Sequence, residues 1–172
     1  RANSSFNWFA RNGTLKDMGV SRVDSGVFQL YGIRPLAGTL ANTSGVIINL
    51  SAVRSLGFAS PQAALGHSWI DAAKDMSPAD RKDYTSGYGA HSRITAVVPD
   101  FAFTPVTDEI RPTAFGAWID GQPSRAIHIK LSGDHVPETL AAIDRAWSAS
   151  GQPGAIDRIF VADYIAQLYQ DM

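Results

Sequence analysis

The chain has no cysteine among its 172 residues, which excludes disulfide bonds, cysteine-ligated zinc and thiol catalysis. It also has almost no net charge, since 15 basic and 16 acidic residues leave −1. Nucleic acids and anionic membrane surfaces are bound through clusters of positive charge. The balanced composition therefore predicts that nucleic acid is not a partner.

A long apolar run is also missing, because no stretch approaches the ~18 residues that a membrane-spanning helix needs. No signal peptide is visible, and the first residue is Arg1 rather than methionine. Two interpretations stay open: a soluble protein with a trimmed start, or a soluble loop from between two membrane helices. With 45% hydrophobic residues, the chain can form one sizeable domain or two small lobes.

Recognisable catalytic and metal-binding motifs are lacking as well. The sequence has no G-x-S-x-G motif, and no glycine-rich phosphate loop with its lysine. The four histidines are scattered, and none has a histidine four residues away to form a helical zinc motif; they are His67, His91, His128 and His135. We therefore predict a non-enzymatic domain with no catalytic residue, no cofactor-binding residue, no metal ligand and no cofactor.

Three groups of polar residues invite a functional interpretation, but each favours a structural one. Asp100 follows an apolar strand, yet no second carboxylate follows before Asp108, so we predict a turn-capping aspartate beside a core Phe101. An acidic group lacks the ligand spacing of a calcium loop and predicts a solvated face; it comprises Asp71, Asp75, Asp80 and Asp83. Turn and cap chemistry accounts for most of the asparagines in Asn-x-Ser/Thr triplets, which are Asn3, Asn12, Asn42 and Asn49.

Hydrophobic patterning divides the chain into short elements. Alternation and β-branched runs predict strands over residues 6–10, 15–24, 46–48, 68–70, 93–98, 113–119, 126–132 and 156–161. Apolar stripes and turn signals predict helices over residues 27–31, 50–56, 61–65, 135–150 and from Asp163 onward. Asn12-Gly13 predicts a hairpin between the first two strands, and Asn49 and Asp163 are the predicted caps of their helices.

Residues 71–92 interrupt this pattern. They supply few apolar anchors, and Gly87 and Gly89 raise the entropy cost of ordering them. We expect this to be the most mobile interior segment and a contact surface for a partner. His91 lies in the same segment, but no neighbouring ligand or nucleophile supports a site there.

Four stretches resemble, in order and with compatible spacing, the sequence blocks of one known family. They are VDSGVFQLYGIRPLAG at 23–38, GVIINLSAVRSLGF at 45–58, SPQAALGHSWI at 60–70 and RITAVVPDF at 93–101. The family is the MacB-like periplasmic core domain of FtsX-like ABC transporter permeases, and the resemblance extends to the end of the chain. Thr39 and Ala96 depart from it, since the family usually has arginine and glycine there.

This resemblance implies an α+β fold in two lobes. A Porter-like βα lobe would be built from both ends of the chain, residues 1–37 and 124–172. A Sabre-like, mainly β lobe would be inserted between them, at residues 38–123.

The function that the resemblance implies is non-catalytic. The chain would be the periplasmic domain of a permease on the extracytoplasmic face of the bacterial inner membrane. It would couple ATP-driven movement of membrane helices to export, lipoprotein release or mechanotransmission. Its partners would be the membrane helices of the same permease chain, an ABC ATPase subunit or domain, and a second copy or a periplasmic partner protein. The alternative is a secreted small-molecule-binding protein or hydrolase that uses the cleft between the lobes.

Overall fold

The computed structural model describes residues 4–9, 15–24, 26–41, 45–68, 93–101, 110–116 and 126–170. Within these ranges, side chains are described from residue 16 onward, except at residues 168 and 169. The chain divides into two compact units, Arg1–Pro123 and Ser124–Met172, and each is described by itself. Strands and helices are both present, so the predicted α+β class is confirmed.

The first unit is organised around one mixed sheet. Its strands are β1 Ser4–Phe9, β2 Leu15–Arg22, β3 Ala37–Gly38, β4 Val46–Asn49, β5 Ile94–Val98 and β6 Thr113–Gly116. They form a six-stranded sheet in the order β1-β2-β6-β4-β5-β3. β2 is parallel to β6 and β4 is parallel to β5, while the other neighbours are antiparallel. β1 and β3 are therefore the two edges of the sheet.

Three short helices follow turn and cap signals that are visible in the sequence. They are α1 Gly26–Leu30, α2 Leu50–Ser55 and α3 Pro61–Ala64. The side chains of Asn49 and Ser60 accept hydrogen bonds from the first turns of α2 and α3. Gly32 and Gly57 have φ angles of 68° and 78°, the left-handed conformation that ends a helix and strains a residue with a Cβ.

Buried side chains cover both faces of the sheet. One cluster packs α2 and α3 against the sheet; it contains Met18, Val46, Ile48, Ala52, Val53, Leu56, Ala64, Ile94, Val97 and Ala114. The other packs α1 against the sheet and contains Phe28, Ile47, Ala96, Val98 and Phe115. Because successive residues of a strand alternate between faces, the unit has three layers, with helices on either side of the sheet.

A β-bulge in β5 decides which of its residues belong to each face. The pairing with β4 moves from Ile94 directly to Ala96, so Thr95 is the extra residue. Ile94 and Val97 consequently lie on one face, and Ala96 and Val98 lie on the other. Simple alternation along this strand would have placed Ile94 and Ala96 on the same face.

Most predicted elements of the first unit are confirmed. The hairpin is formed by β1 and β2, which pair from Ser4 with Val20 to Phe9 with Leu15. The three predicted helices correspond to α1, α2 and α3, and three predicted strands correspond to β4, β5 and β6. In the predicted strand at 68–70, Ser68 forms an isolated bridge to Arg93, and the other two residues lie outside the described ranges.

Over its described residues, 126–170, the second unit contains two helices, α4 Val136–Ala149 and α5 Val161–Gln170. α4 matches the predicted helix, and it is preceded by His135 with a left-handed φ of 52°. The indole N–H of Trp147 donates to the carbonyl of Gly154 at 3.0 Å, which ties the following segment to α4. None of the described side chains of this unit is fully buried, so much of its apolar surface is exposed.

Two strand predictions in the second unit are wrong. Residues 126–132 are neither helix nor strand, and Ile127 and Ile129 are 74% and 54% exposed. In the strand predicted at 156–161, residues 156–160 are neither helix nor strand and Val161 begins α5. Alternation indicates a strand only where a neighbouring strand takes the backbone hydrogen bonds and a core covers one face. α5 begins at Val161, so Asp163 lies in its first turn and is not the predicted cap.

Several predictions concern residues that lie outside the described ranges. These are the mobile segment 71–92 with its acidic group and His91, and the triplets at Asn3, Asn12 and Asn42. The division into lobes, residues 1–37 with 124–172 and residues 38–123, also stays a prediction. Within the described ranges, no helix has the length and apolar character needed to cross a membrane.

Candidate functional site

Polar side chains meet where two parallel strands end. β4 ends at Asn49, and Asp100 follows the end of its parallel neighbour β5. In open α/β sheets, ligands bind outside the carboxyl ends of parallel strands. This edge, where α2 also begins, is therefore the candidate functional site.

Both carboxylate oxygens of Asp100 are bonded to α2. Oδ1 accepts from the backbone N–H of Ser51 at 2.8 Å, and Oδ2 accepts from the Ser51 hydroxyl at 2.9 Å. The guanidinium of Arg54 lies 3.5 Å from Oδ2, with the Asp100 side chain 20% exposed and that of Arg54 67% exposed. Asp100 has a structural role, but the predicted turn cap is wrong in its partner, because the capped backbone is the first turn of α2 and not a local turn.

Asn49 uses both ends of its side-chain amide. Oδ1 accepts from the N–H groups of Ala52 and Thr113 at 3.0 and 2.9 Å. Nδ2 donates to the carbonyl of Arg111 at 2.9 Å. At 2% exposure this side chain joins β4, the start of α2 and the start of β6. Its predicted role as a helix cap is confirmed, and its burial leaves no room for a glycan.

Arg111 contacts both the site and β2, because its carbonyl accepts from Asn49 and its side chain reaches Asp17. Its guanidinium forms an ion pair with Asp17 of β2, and the two side chains are 54% and 53% exposed. Exposed pairs of this kind contribute only about 0–1 kcal/mol to stability. The ion pair between Arg111 and Asp17 therefore contributes much less to stability than the hydrogen bonds of the buried Asn49.

This arrangement is suited to holding elements together. A serine acts as a nucleophile when a base such as histidine can take its proton. The Ser51 hydroxyl donates instead to Asp100, and the other oxygen of that carboxylate accepts from the backbone N–H of Ser51, so the pair holds the start of α2 in place. The exposed His67 lies elsewhere, with its ring 5.3 Å from that of Phe58. Across the part of the chain that the structure describes, no group of three or more His, Asp or Glu could hold a metal ion.

Aromatic side chains pack directly behind Asp100. Phe101 stacks on Phe115 with ring centroids 5.3 Å apart, and Phe28 meets Phe115 edge to face at 5.6 Å. Phe101 is partly buried against this cluster, so its predicted core role is confirmed. The residue after Asp100 is therefore anchored in the apolar cluster on the α1 face of the sheet, while Asp100 itself caps α2, which packs on the other face.

Sequence reasoning identified Asn49 and Asp100 as caps but missed their partners. Ser51 is 49 residues from Asp100, and Thr113 is 64 residues from Asn49. No local pattern encodes such contacts. One signal could have linked Ser51 with Asp100. Ser51 lies in the first helical turn after β4, and Asp100 lies just after the buried strand β5, so the two would meet if β4 and β5 were parallel neighbours.

Comparison with known proteins relates the fold to one permease domain. A domain of a protein assigned as a permease from Porphyromonas gingivalis matches with a TM-score of 0.55, over 92% of this chain and 76% of that chain. The two are 13% identical, so the likeness shows a shared fold. No protein-family model and no curated protein matches the sequence. The narrower resemblance to the MacB-like family stays a prediction.

Proposed function

We propose that this chain is the extracytoplasmic domain of an ABC transporter permease of the MacB-like, FtsX-like kind. The observation that carries the proposal is the fold likeness to a permease domain over 92% of the chain. The ordered series of four sequence blocks, from residues 23–38 to 93–101, supports the same assignment. The domain acts without catalysis, by transmitting the ATP-driven motion of membrane helices to export, lipoprotein release or a mechanical output.

The partners in this proposal are the membrane helices of the same permease chain and an ABC ATPase subunit or domain. The domain then lies on the periplasmic side of the bacterial inner membrane. The sheet of the first unit is suited to such a role, because helices cover both of its faces. Asn49 and Asp100 fix α2 to the ends of neighbouring strands, so a load on one element is shared by the others.

The location can be tested with single cysteines, because the chain has none of its own. Gln29 is exposed on α1, and Val53 is 2% exposed on the buried face of α2. In cells with a permeabilised outer membrane and an intact inner membrane, Gln29→Cys should react with a membrane-impermeant maleimide. Val53→Cys is the buried control and should react only after denaturation. Labelling of Gln29→Cys that requires lysis of the inner membrane would contradict the proposed location.

The coupling role can be tested in the polypeptide that contains this chain. Replacing residues 1–172 by a flexible linker should leave ATP hydrolysis by the assembled transporter intact and abolish its output. The binding-protein or hydrolase alternative makes the opposite prediction, because the purified chain alone would then bind or hydrolyse its substrate. Output that survives the replacement would overturn the coupling role.

A further inference from the structure

The first strand of the sheet begins, and the last strand ends, at the same end of the sheet. Over the described ranges, the chain first enters the sheet at Ser4 in β1 and last leaves it at Gly116 in β6. β1 is antiparallel to β2, and β6 is parallel to β2. Ser4 is opposite Val20, which is opposite Ala114, so the entry point lies two residues short of the exit point along the strands.

Tension between these two points acts mainly across the strands. Ser4 and Gly116 are separated by two strand spacings and a two-residue offset, which is roughly 10 Å across the sheet and roughly 7 Å along it. A load across a strand pair falls on the hydrogen bonds nearest to the point of attachment. A load along the pair is instead shared by all of its hydrogen bonds. Tension between the entry and the exit therefore breaks pairs one at a time.

The two strands that receive this tension are held unequally. Among the described strands, β1 pairs with β2 alone, whereas β6 lies between β2 and β4. The amino end of β6 is held as well by Asn49, which bonds to the N–H of Thr113 and the carbonyl of Arg111 at 2.9 Å each. β1 is therefore the strand that separates first.

Separation of β1 changes the direction of the load on the sheet. Once β1 is free, tension reaches the sheet at Leu15, the first residue of β2. Gly116 is opposite Arg22 at the other end of β2, so the parallel strands β2 and β6 are then pulled along their lengths. Their hydrogen bonds share that load. The opening should therefore stop after β1.

We propose that β1 is a release strand: tension between its amino end and the carboxyl end of β6 peels β1 from β2 and leaves the rest of the sheet folded. The other five strands, β2-β6-β4-β5-β3, keep their pairings. Such opening of one element below global unfolding uncovers the edge of β2, which pairs again when the tension falls. The inference rests on the proposed function only for the source of the tension, which is the movement of membrane helices.

Stretching single molecules of the 172-residue chain in an optical trap tests this proposal. Because the chain has no cysteine, Arg1→Cys and Ala117→Cys define the two points of attachment. We expect a first, reversible step of roughly 40 Å in contour length, which is the chain from Ser4 to Leu15 at about 3.6 Å per residue. A second step at higher force should unfold the sheet. A single step of several hundred ångströms, at about 3.6 Å per residue, overturns the proposal.

A second pair of attachment points is the matched control. Ala10→Cys with Ala117→Cys applies the load next to Phe9, which is opposite Leu15 at the far end of the sheet from Gly116. The tension then runs along the strands from the start. The 40 Å step should be absent, and the first step should occur at the force of the second step in the first geometry. The same low-force step in both geometries overturns the proposal.

Two proline variants test the hydrogen bonds between β1 and β2. Gly19 of β2 donates its N–H to the carbonyl of Pro112 beside β6, so the even-numbered residues of β2 bond towards β1. Ser4 is opposite Val20 and bonds to β2, whereas Ser5 is opposite Gly19 and bonds outward. Ser4→Pro should raise the rate of release at a fixed force by about fivefold to tenfold, and Ser5→Pro should raise it less. Equal effects overturn the proposed peeling.

The trap applies the tension directly, so its outcome is separate from that of the transporter experiments. A chain that is needed for transporter output but shows no release step overturns the release strand alone. A release step in a chain that has no role in a transporter supports the release strand and contradicts the proposed function.

Discussion

Asn49 and Asp100 stabilise the same helix from the ends of two different strands. The first turn of a helix has N–H groups without intrahelical partners. Asn49 accepts from Ala52 and Asp100 accepts from Ser51, so two of these donors in α2 are satisfied by side chains. The two residues differ in burial, at 2% exposed for Asn49 and 20% for the Asp100 side chain. Their substitution should therefore have different costs.

We predict that Asn49→Ala lowers the free energy of unfolding by about 2–3 kcal/mol, because it removes a cap and leaves the half-buried N–H of Thr113 without its acceptor. The carbonyl of Arg111 loses one donor but keeps the Thr113 hydroxyl. Ser60→Ala is the matched control, since Ser60 caps α3 through one hydrogen bond and should cost about 1 kcal/mol. Urea unfolding followed by circular dichroism measures both. Equal losses of stability in the two variants would mean that the hydrogen bonds from Asn49 to Arg111 and Thr113 contribute nothing to stability.

Asp100→Asn tests whether this carboxylate has a structural or a chemical role. An asparagine can still accept from the N–H of Ser51, but its amide nitrogen cannot accept from the Ser51 hydroxyl. We expect a loss of about 1 kcal/mol in stability and, if the chain acts in a transporter as proposed above, no loss of its output beyond that. Output measured in cells at matched protein levels is the readout. Abolished output in a stably folded Asp100→Asn variant would assign a chemical role to the carboxylate.

At the scale of elements, two close backbone approaches determine how β3 and β4 meet β5. A Cβ built on Gly38, which has a φ of 75°, would lie 2.1 Å from the carbonyl oxygen of Thr95. A Cβ on Gly45 would lie 2.1 Å from the Thr95 methyl group and 2.7 Å from the carbonyl of Arg93. Both glycines thus allow the chain to pass close to the bulge residue of β5.

Gly38→Ala should therefore destabilise the protein by about 1–3 kcal/mol more than Gly57→Ala does. Gly57 has a similar φ of 78°, but a Cβ there would meet nothing within 4 Å, so it reports the conformational cost alone. Thermal unfolding of the two variants gives the difference. Similar melting temperatures would show that β3 can move away from β5 at little cost.

Element prediction mostly succeeded where the signal is local, with the predicted cap at Asp163 as an exception, and it failed at two alternating segments where strand pairing decides. Asn49, Ser60 and the glycines after α1 and α2 mark their helices because capping and positive φ are properties of single residues. The alternation at 126–132 was misleading because a strand also needs a neighbour. For the same reason, the contact of Asp100 with Ser51 does not follow from the local sequence of either residue; it follows only once β4 and β5 are known to be neighbours.

At the scale of the whole first unit, one sheet separates two apolar layers. Phe28 and Phe115 belong to one layer, and Ile94 belongs to the other. The sheet is shared, so both layers should melt in a single transition. Substitutions in different layers should nevertheless act independently, because their side chains do not touch.

We predict that the costs of Phe28→Leu and Ile94→Val add to within about 0.5 kcal/mol in the double variant. The control is Phe28→Leu with Phe115→Leu, whose rings meet at 5.6 Å in the same layer and should couple by about 0.5–3 kcal/mol. Guanidinium unfolding of each single and double variant supplies the cycles. Strong coupling across the sheet, or two separate transitions, would contradict this view of the unit.

The bulge at Thr95 also determines how the protein tolerates a change in chain length. Removing Thr95 leaves Ile94, Ala96, Val97 and Val98 in strict alternation, with each side chain still on its present face. A one-residue deletion inside a central strand should then be accepted, at the expense of the hydrogen bonds from Thr39 to the Thr95 carbonyl and from the Thr95 hydroxyl to Val46. Deleting Val97 instead should abolish folding, because Val98 and Pro99 would be drawn to the wrong faces. Circular dichroism and expression yield would compare the two deletions, and a folded Val97 deletion would refute the argument. β5 thus contains one dispensable position, and relatives of this protein could lose it without losing the fold.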